Sequence, residues 1–193
     1  TYGRTELFSP HPWFDIDNEY AAWQGTDALL RDGCRRIALI DGDLRYTYVR
    51  QRLRGYERAL RDHGIAPDPD LLHHSILAAD VARAAAGPML DRGADGFLCL
   101  NEVTFLGARA GVRDRIGDKA GRIGFALRSG THIGTYVASR LHASHVSHVE
   151  SGRVIADLLL QRIAGADPAT LQKLARTTLI STENGQPIAS DPA

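Results

Sequence analysis

Past Asp17, stretches of helical periodicity alternate with short apolar runs, and one run follows the next after about 30 residues, the spacing of a strand–helix–strand unit. This rhythm constrains the chain more than any other feature. It favours a parallel sheet with helices on both faces. "NEYAAWQGTDALLRDG" reads as a helix capped by Asp17 or Asn18 and stopped by Gly33. "RRIALID" is a short apolar run ending at Asp41, typical of a buried strand. A helix is predicted over Val49–His63, stopped by Gly64 and Pro67, and "LLHHSIL" is a weaker strand. Another helix is predicted over Val81–Leu90, where Gly87 and Pro88 should shorten or kink it. "GADGFLCLN" and "GRIGFAL" read as strands flanking a helix over Val103–Ile116. Residues 128–148 break the rhythm with turn signals and the His-rich "RLHASHVSHVE". A helix over Ser151–Ala164, a last strand at "ARTTLIS" and a frayed "NGQPIASDPA" complete the chain.

At 193 residues the expectation is one domain or two small lobes. Lys+Arg and Asp+Glu number 23 each, so the formal net charge is zero. A domain devoted to nucleic acid is usually basic, because phosphate neutralisation supplies much of its affinity. Cys34 and Cys99 form no CxxC, which argues against a disulfide framework or structural zinc and fits a reduced, cytoplasmic compartment. No apolar stretch approaches the roughly 18 residues of a membrane span. The chain opens at Thr1 with neither an initiator Met nor a signal peptide, and is expected to be a segment of a longer protein.

The densest charge lies in "DGDLRYTYVRQRLRGYERAL", Asp41–Leu60. On a helical wheel Val49, Leu53, Tyr56 and Leu60 fall within about 40° of one line, the buried stripe. Arg50, Arg54, Arg58 and Arg61 fall between about 100° and 180°, a solvated face. Arg52 lies on the edge of the stripe, near the first turn, just past the carboxyl end of the preceding strand. Open α/β sheets bind ligands at that end, and a guanidinium there can fork two hydrogen bonds onto a hydroxyl pair or carboxylate. The alternative is one more surface arginine. Asn101 also follows a strand directly. Its amide suits a polyol ligand, and an N-cap for the next helix is the other reading.

Weaker signals point elsewhere. "DGD" at Asp41–Asp43 has the look of a phosphatase nucleophile loop, without that loop's later motifs. His142, His145 and His148 are spaced by three, which on a strand puts neighbours on opposite faces and argues against a metal site. Trp13 and Trp23 read as core or interface residues. No GxGxxG, Walker A, GxSxG or HExxH occurs. No cofactor is expected.

Taken in order, these segments resemble the effector-binding domain of the lactose/galactose-repressor (LacI) family of bacterial transcription regulators. The Asp17–Asn18 pair opens a helix, Gly33–Ala38 follows with Cys34 where His is usual, and Gly42 and the Arg50–Tyr56 pattern come next. "GFLCLNE", "RIGFAL" and "ESGRVIADLLLQRIAG" resemble later family segments, more loosely after Leu127. The resemblance implies a periplasmic-binding-protein type I fold: α/β, with parallel sheets in αβα layers and two lobes, the first incomplete. Residues 1–15 and 149–176 would form the partial amino-terminal lobe, and 16–148 and 177–193 the carboxyl-terminal lobe. It implies a non-enzymatic sensor of a sugar-like effector, with operator DNA reached only through a helix-turn-helix domain absent from this chain, and a homodimer away from the membrane. A periplasmic sugar-binding protein of transport is the alternative. The family's effector arginine falls on Arg52 and its asparagine on Asn101. Tyr46, Tyr48 and Leu77 fall at pocket-lining positions. An acidic pocket residue is replaced by Ala126, and Arg4 and Arg128 lie near the cleft, so the resemblance points to a sugar derivative that could be anionic.

Overall fold

The computed structural model describes residues 1–4, 11–75 and 78–188. Its centre is a seven-stranded sheet in the order β3-β2-β4-β5-β6-β8-β9. The strands are β2 (Ile37–Asp41), β3 (Leu72–His74), β4 (Gly96–Cys99), β5 (Gly124–Ser129), β6 (Leu141–His145), β8 (Thr178–Glu183) and β9 (Gln186–Pro187). The first five are parallel; at one edge β8 pairs antiparallel with β6, and β9 antiparallel with β8. A separate parallel pair joins β1 (Trp13–Ile16) to β7 (Gln172–Ala175).

Strand alternation sorts the core into two layers. Leu39, Leu98 and Ala126 face α1 (Asn18–Arg31) and α2 (Thr47–Asp62), with Leu29, Tyr56 and Leu60. Ile40, Phe97 and Leu127 face α3 (Ala79–Asp91) and α4 (Glu102–Ile116), with Met89, Phe105 and Val112. Asp17 caps α1 by accepting from the Tyr20 N–H at 3.0 Å, and Gly33 ends it at φ +98°, a left-handed conformation that glycine adopts without strain. Helices α1 and α2 meet at Gly55, where a Cβ would collide with the Glu19 carbonyl.

Several expectations need correction. Helix α3 is not shortened by Pro88: it runs on to Asp91 with Pro88 inside it. Proline removes one backbone donor there. The helix is held by close packing on α4, where Gly107 and Gly111 lie against the backbone carbonyls of Ala79 and Arg83. Helix α5 (His148–Ile163) starts at His148 rather than Ser151, after strand β6, which carries His142 and His145. In the terminal segment Gln186–Pro187 form β9 after a turn at Asn184–Gly185. Strands β1 and β7 have no counterpart in the periodicity. Each is four residues long, and β7 is mostly exposed, so neither carries a clean apolar alternation.

Candidate functional site

The parallel strands deliver their carboxyl ends to one edge. In register, Ile40 pairs with Cys99 and Cys99 with Leu127. Asp41, Leu100 and Arg128 therefore emerge at one level, with Asn101 just beyond. The chain leaving β2 turns through Gly42–Tyr46 and enters α2, whose second turn brings Arg52 back over the end of β2. There the guanidinium forks onto Asp41: Nε donates to Oδ2 at 2.9 Å and Nη2 to Oδ1 at 3.0 Å. The Gly42 N–H donates to the same Oδ1 at 2.6 Å. Both side chains are buried, 6% and 0% exposed. Arg52 lies 4.9 Å over the Tyr48 ring, and Tyr48 stacks on the half-exposed Tyr46 with centroids 5.5 Å apart.

Asp41, Arg52 and Arg128 line a cavity of about 10 Å³ with Ala21, Leu98 and Leu100, room for about one water. Arg128 reaches it from β5, and its Nη2 donates to the Tyr2 hydroxyl at 3.3 Å. Of the two sequence readings of Arg52, a fork toward ligand or one more surface arginine, the second does not fit a side chain that is 6% exposed. Two of its five donors are already held by Asp41, so what it can offer is the remaining N–H groups of a neutralised arginine.

A second polar group links β1 to the helices. Arg4 Nε lies 3.3 Å from Asp15 Oδ2, and its guanidinium covers Trp13 at 5.6 Å. With the Gln51 carbonyl oxygen turned toward it, Arg4 also donates from Nε at 3.2 Å and Nη2 at 3.3 Å. Asn18 donates to Asp15 Oδ1 at 3.4 Å and to the Ile16 carbonyl at 2.9 Å. Burial raises the Asp15 pKa above the usual carboxylate value, against the opposing pull of the Ile16 N–H and of Arg4.

At the end of β4, Asn101 caps α4. Its Oδ1 accepts from the Thr104 N–H at 3.0 Å, and Thr104 Oγ1 returns a bond from the Asn101 N–H at 3.1 Å. Among the described residues nothing holds the Asn101 Nδ2. Cap and free donor therefore coexist in one residue. Glu102 accepts from the Ser129 hydroxyl at 2.8 Å, the Gly130 N–H at 3.1 Å and the Thr131 hydroxyl at 3.1 Å. Burial alone would raise the Glu102 pKa; its own N–H and these donors outweigh that and lower it. The carboxylate thus fixes the turn that follows Arg128.

Residues 26–182, most of the chain, match the periplasmic binding protein-like domain. The chain belongs to that family, as found in LacI-type transcription regulators. It is 30% identical over 176 residues to the HTH-type transcriptional regulator RafR of Escherichia coli, covering 88% of this chain and 51% of RafR. It is 28% identical over 193 residues to the HTH-type transcriptional regulator CelR of Thermobifida fusca, 95% of this chain and 56% of CelR. Among solved structures, the transcriptional regulator CelR–cellobiose complex superposes with a TM-score of 0.83 at 25% identity, covering 95% of this chain and 57% of that one. Transcription regulator CcpA of Lactococcus lactis gives 0.81 at 23% identity over 90% of this chain and 64% of that one, a likeness of fold. The chain spans about half the length of the curated relatives it matches. These relatives are regulators, not enzymes.

Within this LacI-type frame the sequence-derived residues divide. Arg52, Tyr46, Tyr48, Asn101 and Arg128 gather at the strand ends, with Arg4 beside them through Gln51, the neighbour of Arg52. Leu77 lies outside the described residues. Ala126 is fully buried beneath α1, beside Gly25, three residues short of the end of β5, and is not among the residues that line the cavity. Asp41 is no exposed nucleophile, since Arg52 and Gly42 enclose it. Trp13 and Trp23 are half-buried, Trp23 packed against the core layer beneath α1 and α2; Trp23 also stacks on Tyr20 and donates to Asp62 at 2.8 Å. His142 and His145 take opposite faces of β6. His142 meets Asp32 and Ser181, whereas His145 stacks on His132. Among the described residues no group of His, Cys, Asp or Glu is arranged to hold a metal, and no helix is long and apolar enough to cross a membrane. Sequence reasoning missed Asp41, Gln51 and Asp15 as parts of the site. A carboxylate closing an apolar strand eleven residues before a helix-borne arginine was the available signal for Asp41.

Proposed function

We propose that this chain is the effector-sensing part of a LacI-type transcription regulator, working in the cytoplasm as a homodimer. Residues 1–15 and 149–176 contribute part of one lobe, and 16–148 and 177–193 the other. A sugar or sugar derivative binds between them, against Arg52, Asn101, Arg128, Arg4 and the Tyr46–Tyr48 stack. Closure of the lobes on the ligand changes the operator affinity of a DNA-binding domain outside this chain. The ligand acts only through its different affinity for the open and closed states. The observation that carries the reading is the convergence of Arg52, Arg128 and the Asn101 amide at the carboxyl ends of β2, β5 and β4, where open α/β sheets take ligands. The separate β1–β7 pair supports the division into lobes.

Calorimetric titration of the chain with neutral and phosphorylated sugars tests this. Arg52→Lys keeps a charge for Asp41 and removes the planar fork. It is expected to weaken sugar binding at least tenfold; unchanged affinity in that variant would overturn the assignment. A helix-turn-helix encoded just upstream in the reading frame is expected, and a secretion signal there would favour a transport protein instead.

A further inference from the structure

Three guanidinium groups border the strand-end cleft, and their charges are not equivalent. Arg4 is matched by Asp15 at 3.3 Å. Arg52 is matched by Asp41 through two hydrogen bonds, both partners buried. Arg128 has the Tyr2 hydroxyl as its hydrogen-bond partner and, among the described residues, no carboxylate. Glu102, at the start of α4, is taken up by the turn at residues 129–131. Asp43, on the loop before α2, is bound to Arg45 at 2.8 Å. The site therefore pairs a neutralised donor, Arg52, with one uncompensated positive charge at Arg128, and both line the same cavity.

We infer that Arg128 is the charge-selecting residue of this site and that the ligand is a sugar bearing a single carboxylate, its hydroxyls meeting Arg52 and Asn101. This rests on the reading of the cleft as the effector site. A neutral sugar would leave the Arg128 charge unmatched in a closed, partly dehydrated cleft, where an unpaired charge is penalised. A carboxylate fits the guanidinium fork in plane with two parallel hydrogen bonds. A doubly charged phosphate would bring one negative charge more than the site can balance. Asp41 contributes by removing Arg52 from the charge count, which makes it a positioning residue rather than a ligand contact.

The test is calorimetric titration of the 193-residue chain with matched pairs: glucose against glucuronate, galactose against galacturonate, with glucose 6-phosphate and cellobiose as further probes. A uronate is expected to bind at least tenfold more tightly than its neutral parent and more tightly than the phosphate. Arg128→Gln should erase that preference by weakening the uronate alone, and Arg128→Lys should restore part of it. Equal affinity for acid and neutral partners, a preference for the phosphate, or a preference that survives Arg128→Gln would overturn the inference. If Arg52→Lys still weakens every sugar in those cases, the effector site stands and only its charge assignment falls. If Arg52→Lys changes nothing, or no probe binds, the reading of the cleft falls as well.

Discussion

Arg52 and Asp41, eleven residues apart, form a two-pronged ion pair at 2.9 and 3.0 Å with both side chains buried. The last residue of β2 is thereby tied to the second turn of α2. Neither group can be removed alone without leaving a buried charge.

Truncation of Arg52 is therefore predicted to disturb the fold as well as the ligand. Arg52→Ala removes one partner of the buried pair and keeps the other. With Asp41 beneath it, the variant should lose about 3–5 kcal/mol of stability, the penalty of an orphaned buried charge. Replacing both residues with apolar side chains of similar volume should cost far less. Urea denaturation of the single and double variants measures the difference.

Asn101 separates cap from ligand contact. Asn101→Asp keeps an oxygen for the Thr104 N–H and removes the Nδ2 donor. Stability should change by only a few tenths of a kcal/mol, because Asp and Asn cap equally well. Sugar affinity should fall. Asn101→Ala should lose about 1 kcal/mol of stability in addition. Thermal melts beside titrations resolve the two roles.

Gly55 sets the distance between α1 and α2. A Cβ there would press on the Glu19 carbonyl and approach the Trp23 nitrogen. Backbone cannot swing aside as a side chain can, so Gly55→Ala is predicted to destabilise by roughly 1–3 kcal/mol despite its better helix propensity. An unchanged midpoint of denaturation would contradict the packing described.

Acid should weaken the fold in a defined window. His142 is held between Asp32 and Ser181, at 2.8 and 2.7 Å, with Arg140 also bound to Asp32. Burial lowers its pKa below the ordinary 6.5, against the opposing effect of Asp32. Between its folded and unfolded values the unfolded chain binds the extra proton, so stability rises with pH there. The contribution is complete above about pH 6.5 and declines as pH falls through the lowered folded value. His145 and His73, also lowered mainly by burial, add in the same direction. His142→Gln should flatten the decline, as measured by denaturant midpoints from pH 7.5 to 5.

The two readings of Arg52, ligand contact or surface charge, were both incomplete, and the reason is physical. A helical wheel gives the angle of a side chain, not the group waiting at its tip. The wheel did sort Arg54 and Arg58 correctly to the outer face, where both bind Glu19. Matching a motif along a strand fixes which residue corresponds, as at Ala126, but not how far β5 runs before it ends. With β5 continuing to Ser129, Ala126 sits three residues inside, and Arg128 is the last residue but one of the strand.

The sequence by itself determined the α/β alternation, the buried strands, the caps at Asp17 and Asn101 and the kinship with LacI-type regulators. Each of these follows from local periodicity, local hydrogen bonding or an ordered motif. Only the tertiary structure decided which charges cancel. Pairing depends on groups brought together through space, Asp41 with Arg52 and Asp15 with Arg4, and a buried charge is tolerated only where such a partner lies within hydrogen-bond reach.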